Sequence, residues 1–106
     1  MRKYRLSEQT RQYCYEEEHG KQSVTLRQIV ALIDFADVKA GSEGGLVDEE
    51  CALSQQGECW IYDVNSVVFA GARIHDDAGL PGFGVVSHAA TIGGRACIHA
   101  SQISHH

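Results

Sequence analysis

Hydrophobic positions in the second half of the chain recur at a spacing of six. Tyr62, Val68, Ile74, Leu80, Val86, Ile92 and Ile98 form one series. Four residues after each of the first six stands a small residue: Ser66, Ala72, Ala78, Gly84, Ala90 and Ala96. At the next such position, Gln102, the small-residue rule lapses. A helix repeats near 3.6 residues and a plain strand near 2. A period of six held in two columns predicts a parallel β-helix, in which three hexapeptides complete one triangular coil. The predicted fold is therefore all-β. Residues 47–106 form a β-helix of about three coils, and residues 1–46 an N-terminal arm and β cap.

Eighteen residues return such a chain to the same face, one strand spacing of about 4.8 Å along the axis. Inside, Tyr62 is expected to stack on Leu80 and Ile98, Val68 on Val86, and Ile74 on Ile92. The small residues fit the corners, where the wall turns sharply. Outside, Val67, Val85 and Ile103 share a column, with Phe69 on the same face. An apolar stripe on an outer face of this kind marks a surface that can pack against something. Two covers are open, the N-terminal hairpin or another subunit, and simple exposure is the third alternative. Ser104 stands where the next inward aliphatic is due, so the last coil is expected to present an open edge. These features predict a homo-oligomer, dimer or trimer, formed through the stripe (Val67, Phe69, Val85, Ile103) or through the open C-terminal coil.

Upstream the period is imperfect. Val47, Leu53 and Cys59 are spaced by six, and the register then jumps by three to Tyr62. The first coil should be wider, with Trp60 plugging the irregular space. Ser23 to Ile33 is rich in β-branched residues and predicts a strand, covered on both sides toward its end, with a helix over Leu26 to Phe35 as the alternative. Residues 1–22 read as a solvated arm: Arg2, Lys3 and Arg5 come first, and Glu16, Glu17 and Glu18 follow. A short strand around Gln12 to Tyr15 is expected to turn at His19-Gly20-Lys21 into a hairpin.

The junction carries a more specific pattern. Asp34-Phe35, Asp37-Val38-Lys39-Ala40-Gly41 and Gly44-Gly45-Leu46-Val47 are followed by Leu53-Ser54, Gly57, Cys59-Trp60 and Tyr62-Asp63. This arrangement resembles the cap of the YdcK-like hexapeptide-repeat proteins, over roughly residues 1–75. Leu46 departs from it, standing where that family usually has Trp. The resemblance implies the left hand of the hexapeptide-transferase class, an exception to the right-handed rule for parallel crossovers. It also implies an acyltransferase-like possibility, with a CoA thioester as donor and a site between subunits. No other cofactor is expected.

Charge and composition narrow the rest. A net charge of −5 and a pI near 5.6 argue against a nucleic-acid partner. No apolar run is long enough to predict a transmembrane helix, and no apolar segment follows the basic N-terminus, so a cytoplasmic location is expected. In that location Cys14, Cys51, Cys59 and Cys97 are expected to be reduced thiols, and their spacings of 37, 8 and 38 residues match no zinc signature.

The candidate chemistry rests on histidine. In the hexapeptide-transferase class a His acts as general base for a hydroxyl or amine acceptor. His75 and His99 follow inward residues directly and should point outward, which makes them the catalytic candidates under the acyltransferase reading. His88 and His106 are eighteen apart and would stack in one column. A stacked pair can ligate a metal, yet no carboxylate or thiol has matching spacing, so no metal site is expected. Asp76 and Asp77 beside His75 read as a polar turn. No coupled catalytic set emerges. The expectation is a non-catalytic β-solenoid module that associates with itself or docks a protein or glycan on a flat face. The alternatives are the acyltransferase-like enzyme and a truncated remnant of a longer β-helix protein.

Overall fold

A computed structural model describes residues 2–17, 20–82, 84–87, 90–94 and 102–104, with backbone alone at Glu17 and at 102–104. The described residues are all-β, apart from a single 3-10 turn at Glu50–Ala52. The strands are β1 (Tyr4–Glu17), β2 (Gly20–Ala31), β3 (Glu43–Val47), β4 (Trp60–Ile61), β5 (Val67–Val68), β6 (Arg73–Ile74), β7 (Gly79–Leu80), β8 (Val85–Ser87), β9 (Thr91–Ile92) and β10 (Gln102–Ser104). No helix among them is long and apolar enough to cross a membrane.

The largest sheet is mixed, in the order β1-β2-β3-β5-β8-β10. Its first three strands are antiparallel and the rest pair in parallel. Two further parallel pairs, β4-β7 and β6-β9, make separate two-stranded sheets. The expected period is visible in the register: Val67 pairs with Val85, Val68 with Val86, Arg73 with Thr91 and Ile74 with Ile92, each eighteen residues on. The wider first coil is visible too. Val47 pairs with Val68 and Leu53 with Ile74, each twenty-one residues on. The line drawn between 46 and 47 falls inside β3, whose strand continues the same sheet into β5.

The core follows the hexapeptide columns with one correction. Val68, Ile74, Leu80, Val86 and Ile92 are buried, as are Val47, Leu53 and Cys59. Tyr62, expected inside, is 37% exposed, and its neighbour Ile61 is fully buried instead. The register explains the exchange: Ile61 pairs with Leu80, nineteen residues on. The branched aliphatic side chain fills the interior, while the Tyr62 hydroxyl donates to Asp37 Oδ1 at 2.7 Å on the surface. The extra residue is absorbed in the corner that follows. There the Asn65 amide donates to Asp63 Oδ1 (2.8 Å) and the Ser66 amide to the Asp63 carbonyl (3.1 Å).

The corners hold small residues for the reason anticipated. Ser66, Ala72, Ala78 and Ala90 are buried. The Ser66 hydroxyl also closes its corner, donating to the Gly82 carbonyl (3.2 Å) and accepting from the Gly84 amide (3.0 Å). A second correction concerns the outer column. Ile103 pairs with inward-column Val86, and Gln102 pairs with Val85. The step is seventeen residues here, so Ile103 does not continue the register of Val67 and Val85. Ala96, Cys97, Ile98, His88, His99 and His106 lie outside the described residues.

The N-terminal segment is structured rather than a free arm. β1 begins at Tyr4, and Lys3 and Tyr4 are both buried. Along β2 the packed face changes. Val24 and Leu26 pack with Leu46, Val67 and Phe69, whereas Ile29 and Ala31 join the interior cluster with Trp60 and Ile61. Register shifts between Leu6 and Thr10 of β1, and between Gln28 and Val30 of β2, accompany the change. Gly44 and Gly45 lie at the second of these, where the chain passes Ile61. A β-carbon at Gly44 would sit 2.5 Å from the Ile61 carbonyl oxygen, and one at Gly45 would sit 2.3 Å from Ile61 Cγ2.

Candidate functional site

His75 projects from the end of β6 into a polar corner that runs to β7 at Gly79. The corner is built by its own carboxylates. Asp76 adopts a left-handed backbone (φ 59°), a conformation that Asp tolerates better than most residues. Its side-chain Oδ2 accepts from the Gly94 amide (3.0 Å) in the next coil. Asp77 reaches the opposite way, its Oδ1 accepting from the Glu58 amide (3.0 Å) in the preceding coil. The Asp76 carbonyl accepts from the Cys59 amide at 3.0 Å. Gly57 makes that approach possible, since a β-carbon there would lie 2.2 Å from the Asp76 carbonyl oxygen.

The imidazole is oriented by the same carboxylate. His75 Nδ1 is 3.1 Å from Asp76 Oδ2. The hydrogen bond from Gly94 holds the Asp76 carboxyl below its usual range, and the adjacent His75 adds to the effect. An Nδ1–H donated to Asp76 leaves Nε2 as the basic nitrogen of a neutral ring, the arrangement general-base chemistry uses. The ring faces an open groove of about 470 Å³, whose walls include Ser54, Gln56, Asp77 and Gly94. No cluster of three or more potential metal ligands occurs among the described residues.

Of the histidine candidates, His75 is the one that falls within the described residues, and it has a defined partner in Asp76. His88, His99 and His106 lie outside the described residues, so no grouping with them is described. The stripe residues are placed differently. Val67 and Phe69 are buried within the chain itself, and Val85 packs against their cluster. The rings of Tyr13 and Tyr15 lie 5.3 and 4.7 Å from that of Phe69, centroid to centroid, so the hairpin covers this wall. A subunit interface at Val67 and Phe69 would require the hairpin to leave. The hairpin was the other cover open on sequence grounds.

Two features escaped the sequence. The first is the Asp76–Gly94 tie. Its signal was present, because Asp76 and Gly94 are eighteen apart. The second is a buried polar knot under the cap. The Lys3 ammonium donates to the carbonyls of Cys59 (2.8 Å) and Gly57 (3.3 Å), lies 3.3 Å from Cys59 Sγ, and sits 5.0 Å above the Phe35 ring. Gln55 Oε1 accepts from the amides of Lys3 (2.7 Å) and Tyr4 (3.2 Å). The Tyr4 hydroxyl is bound by the carbonyls of Glu50 and Leu53. Burial, reinforced by the charge of Glu50, pushes its ionisation well above the usual tyrosine range. Trp60 fills the space beside them, edge-on to Tyr4 and Phe35 at 6.3 and 5.3 Å. A basic N-terminus gives no hint that one lysine will be buried.

No protein-family profile matches the chain. Among curated proteins it is similar to an Escherichia coli protein named "uncharacterized acetyltransferase YdcK", with 50% identity over 86 residues. The match covers 81% of this chain and 26% of that relative. The chain is therefore YdcK-like, resembling a short portion of that protein.

Proposed function

We propose that this chain is a left-handed parallel β-helix segment under a hairpin cap, and that it works as a non-catalytic module. It associates with itself, or docks a protein or glycan on a flat wall. The observation that carries the reading is the register of the parallel pairs. Ladders at eighteen residues on β5-β8 and β6-β9 stack short strands one coil on the next, which gives walls built of backbone. The left hand follows from the YdcK-like resemblance, and a cytoplasmic setting from the sequence, in which neither an apolar spanning run nor a signal-peptide apolar segment is read. Sedimentation at tens of micromolar tests the self-association. A dimer or trimer is expected, and a monomer overturns it.

A second reading is acyl transfer from a CoA thioester. The His75–Asp76 pair beside an open groove favours it, as does the acetyltransferase in the relative's name. His75 Nε2 would take the proton of an acceptor hydroxyl or amine as that group attacks the thioester carbonyl, and would return it to the CoA thiolate that leaves when the C–S bond breaks. CoA binding must raise the melting temperature if it is real. A thermal shift with millimolar acetyl-CoA that is lost in His75→Ala supports this reading, and no shift in the wild type removes it.

A further inference from the structure

β1 ends the largest sheet, and its outer edge has no strand partner among the described residues. The half of β1 beyond its register shift is regular. From Thr10 to Glu17 eight consecutive residues pair with Arg27 to Gly20. Thr10, Arg11, Gln12, Cys14 and Glu16 are exposed. A long, regular, exposed edge strand is a template for another strand. The usual protection, a bulge, sits at one end only, between Leu6 and Thr10.

We propose that the partner on this edge is the same edge of a second copy, paired antiparallel about a two-fold axis at Cys14. The register follows from symmetry and charge. Neighbouring pairs in an antiparallel ladder alternate between hydrogen-bonded and non-hydrogen-bonded. Symmetry-equivalent pairs are therefore never adjacent, and the axis must pass where a residue faces its own copy. Centred on Arg11, the strands set two arginines against each other. Centred on Gln12 or Tyr13, they set Arg11 opposite a tyrosine. Centred on Cys14, they set Arg11 opposite Glu17 of the second copy, twice by symmetry, and Gln12 opposite Glu16. No other centre on this run faces Arg11 with an acidic residue. The segregated charge of the strand, basic toward its start and acidic toward its end, is thus self-complementary when the strand is reversed. The pairing would join the two largest sheets into one continuous sheet.

This inference rests on the self-association reading, but it names a surface distinct from the coil walls and from β10. Sedimentation equilibrium of the full chain under reducing conditions tests it. The wild type is expected to dimerise, and Arg11→Glu to raise the dissociation constant roughly tenfold or more by placing like charges opposite each other. The double variant Arg11→Glu, Glu17→Arg restores the opposition with reversed sign and should return the constant to within about threefold of wild type. It also guards against a folding defect in the single variant. Mild oxidation should then give a cross-link that peptide mapping assigns to Cys14–Cys14, since opposed Cα atoms about 5.5 Å apart lie within disulfide reach. A dimer unaffected by Arg11→Glu overturns the edge pairing and leaves association by another surface standing. A monomeric wild type overturns both. Failure of the double variant to restore dimerisation overturns the Cys14 register.

Discussion

The imidazole of His75 occupies the space above Gly93 that any larger residue would need. A β-carbon at Gly93 would lie 2.2 Å from His75 Cε1 and 2.6 Å from Nε2. The two positions are eighteen residues apart, so a side chain in one coil is seated by the absence of one in the next. Gly93→Ala is expected to swing the ring away and break its contact with Asp76. The ring is the free end of a partly exposed side chain, so the stability cost should stay below about 1 kcal/mol. Imidazole nitrogen NMR shifts measure the effect: the Nδ1–H tautomer signal should weaken in the variant while the melting temperature barely moves.

Gly44 meets a barrier of another kind. Its obstacle is the Ile61 carbonyl, which is backbone and cannot rotate aside. Gly44→Ala should cost on the order of 1–3 kcal/mol through overpacking, seen as a lower denaturation midpoint with an unchanged slope. Gly82→Ala is the natural control, because nothing lies within 4 Å of a β-carbon built there.

Phe69 is the clamp of the hairpin. Its ring meets Tyr13 and Tyr15 edge-on, and it is 2% exposed. Phe69→Ala should destabilise the protein by about 3–5 kcal/mol. Amide exchange should quicken first at Tyr13 to Tyr15, ahead of the interior around Val68 and Val86. Uniform acceleration through both regions would show that the hairpin and coils open as one unit.

Two carboxylates give opposite pH signatures. Burial raises the Asp48 carboxyl above its usual range; its Oδ2 accepts from the Ala70 amide (3.1 Å), but Oδ1 is buried without a partner among the described residues. The folded state therefore holds that proton more tightly than the unfolded chain. The stability it contributes is complete below the unfolded value near 3.8 and is lost as pH rises through the raised folded value. Asp48→Asn should stabilise the protein at neutral pH and flatten this part of the profile. Asp76 runs the other way. Its carboxyl is held below 3.8, so its contribution is present above that value and is lost as pH falls through the lowered one. Asp76→Asn should remove the acid limb alone, as read by denaturation midpoints between pH 2 and neutrality.

The interior columns were legible because a repeat states each core contact several times over. Val68, Val86, Ile74 and Ile92 needed only counting. Tyr62 was misplaced because a period cannot say where an extra residue is absorbed. The Asp63 turn shifts the phase by one and leaves the aromatic ring outside. Ile103 was misplaced in the same manner, by a step of seventeen. The Lys3 knot was illegible for a different reason. Its partners are carbonyls of Gly57 and Cys59, and backbone acceptors leave no trace in the residue types around them. At the site, the sequence supplied His75 and its outward direction. The tie from Asp76 to Gly94 depends on a left-handed φ at Asp76, which residue identity permits but does not demand.

The buried seat of Lys3 and Tyr4 also orders events in time. These residues are made before their hydrogen-bond partners Gln55 and Cys59, which lie more than fifty positions later, and Phe69, which anchors Tyr15, comes later still. Until that later stretch has been made, a lysine destined for the interior and a strand rich in unpaired backbone must wait in solvent. The hairpin can pair with itself early, but it can be fixed in place only after the coils exist. Folding is thus driven from the coils back toward the hairpin, a non-local closure of the kind that slows folding and leaves the earlier-made hairpin open to other partners in the interval.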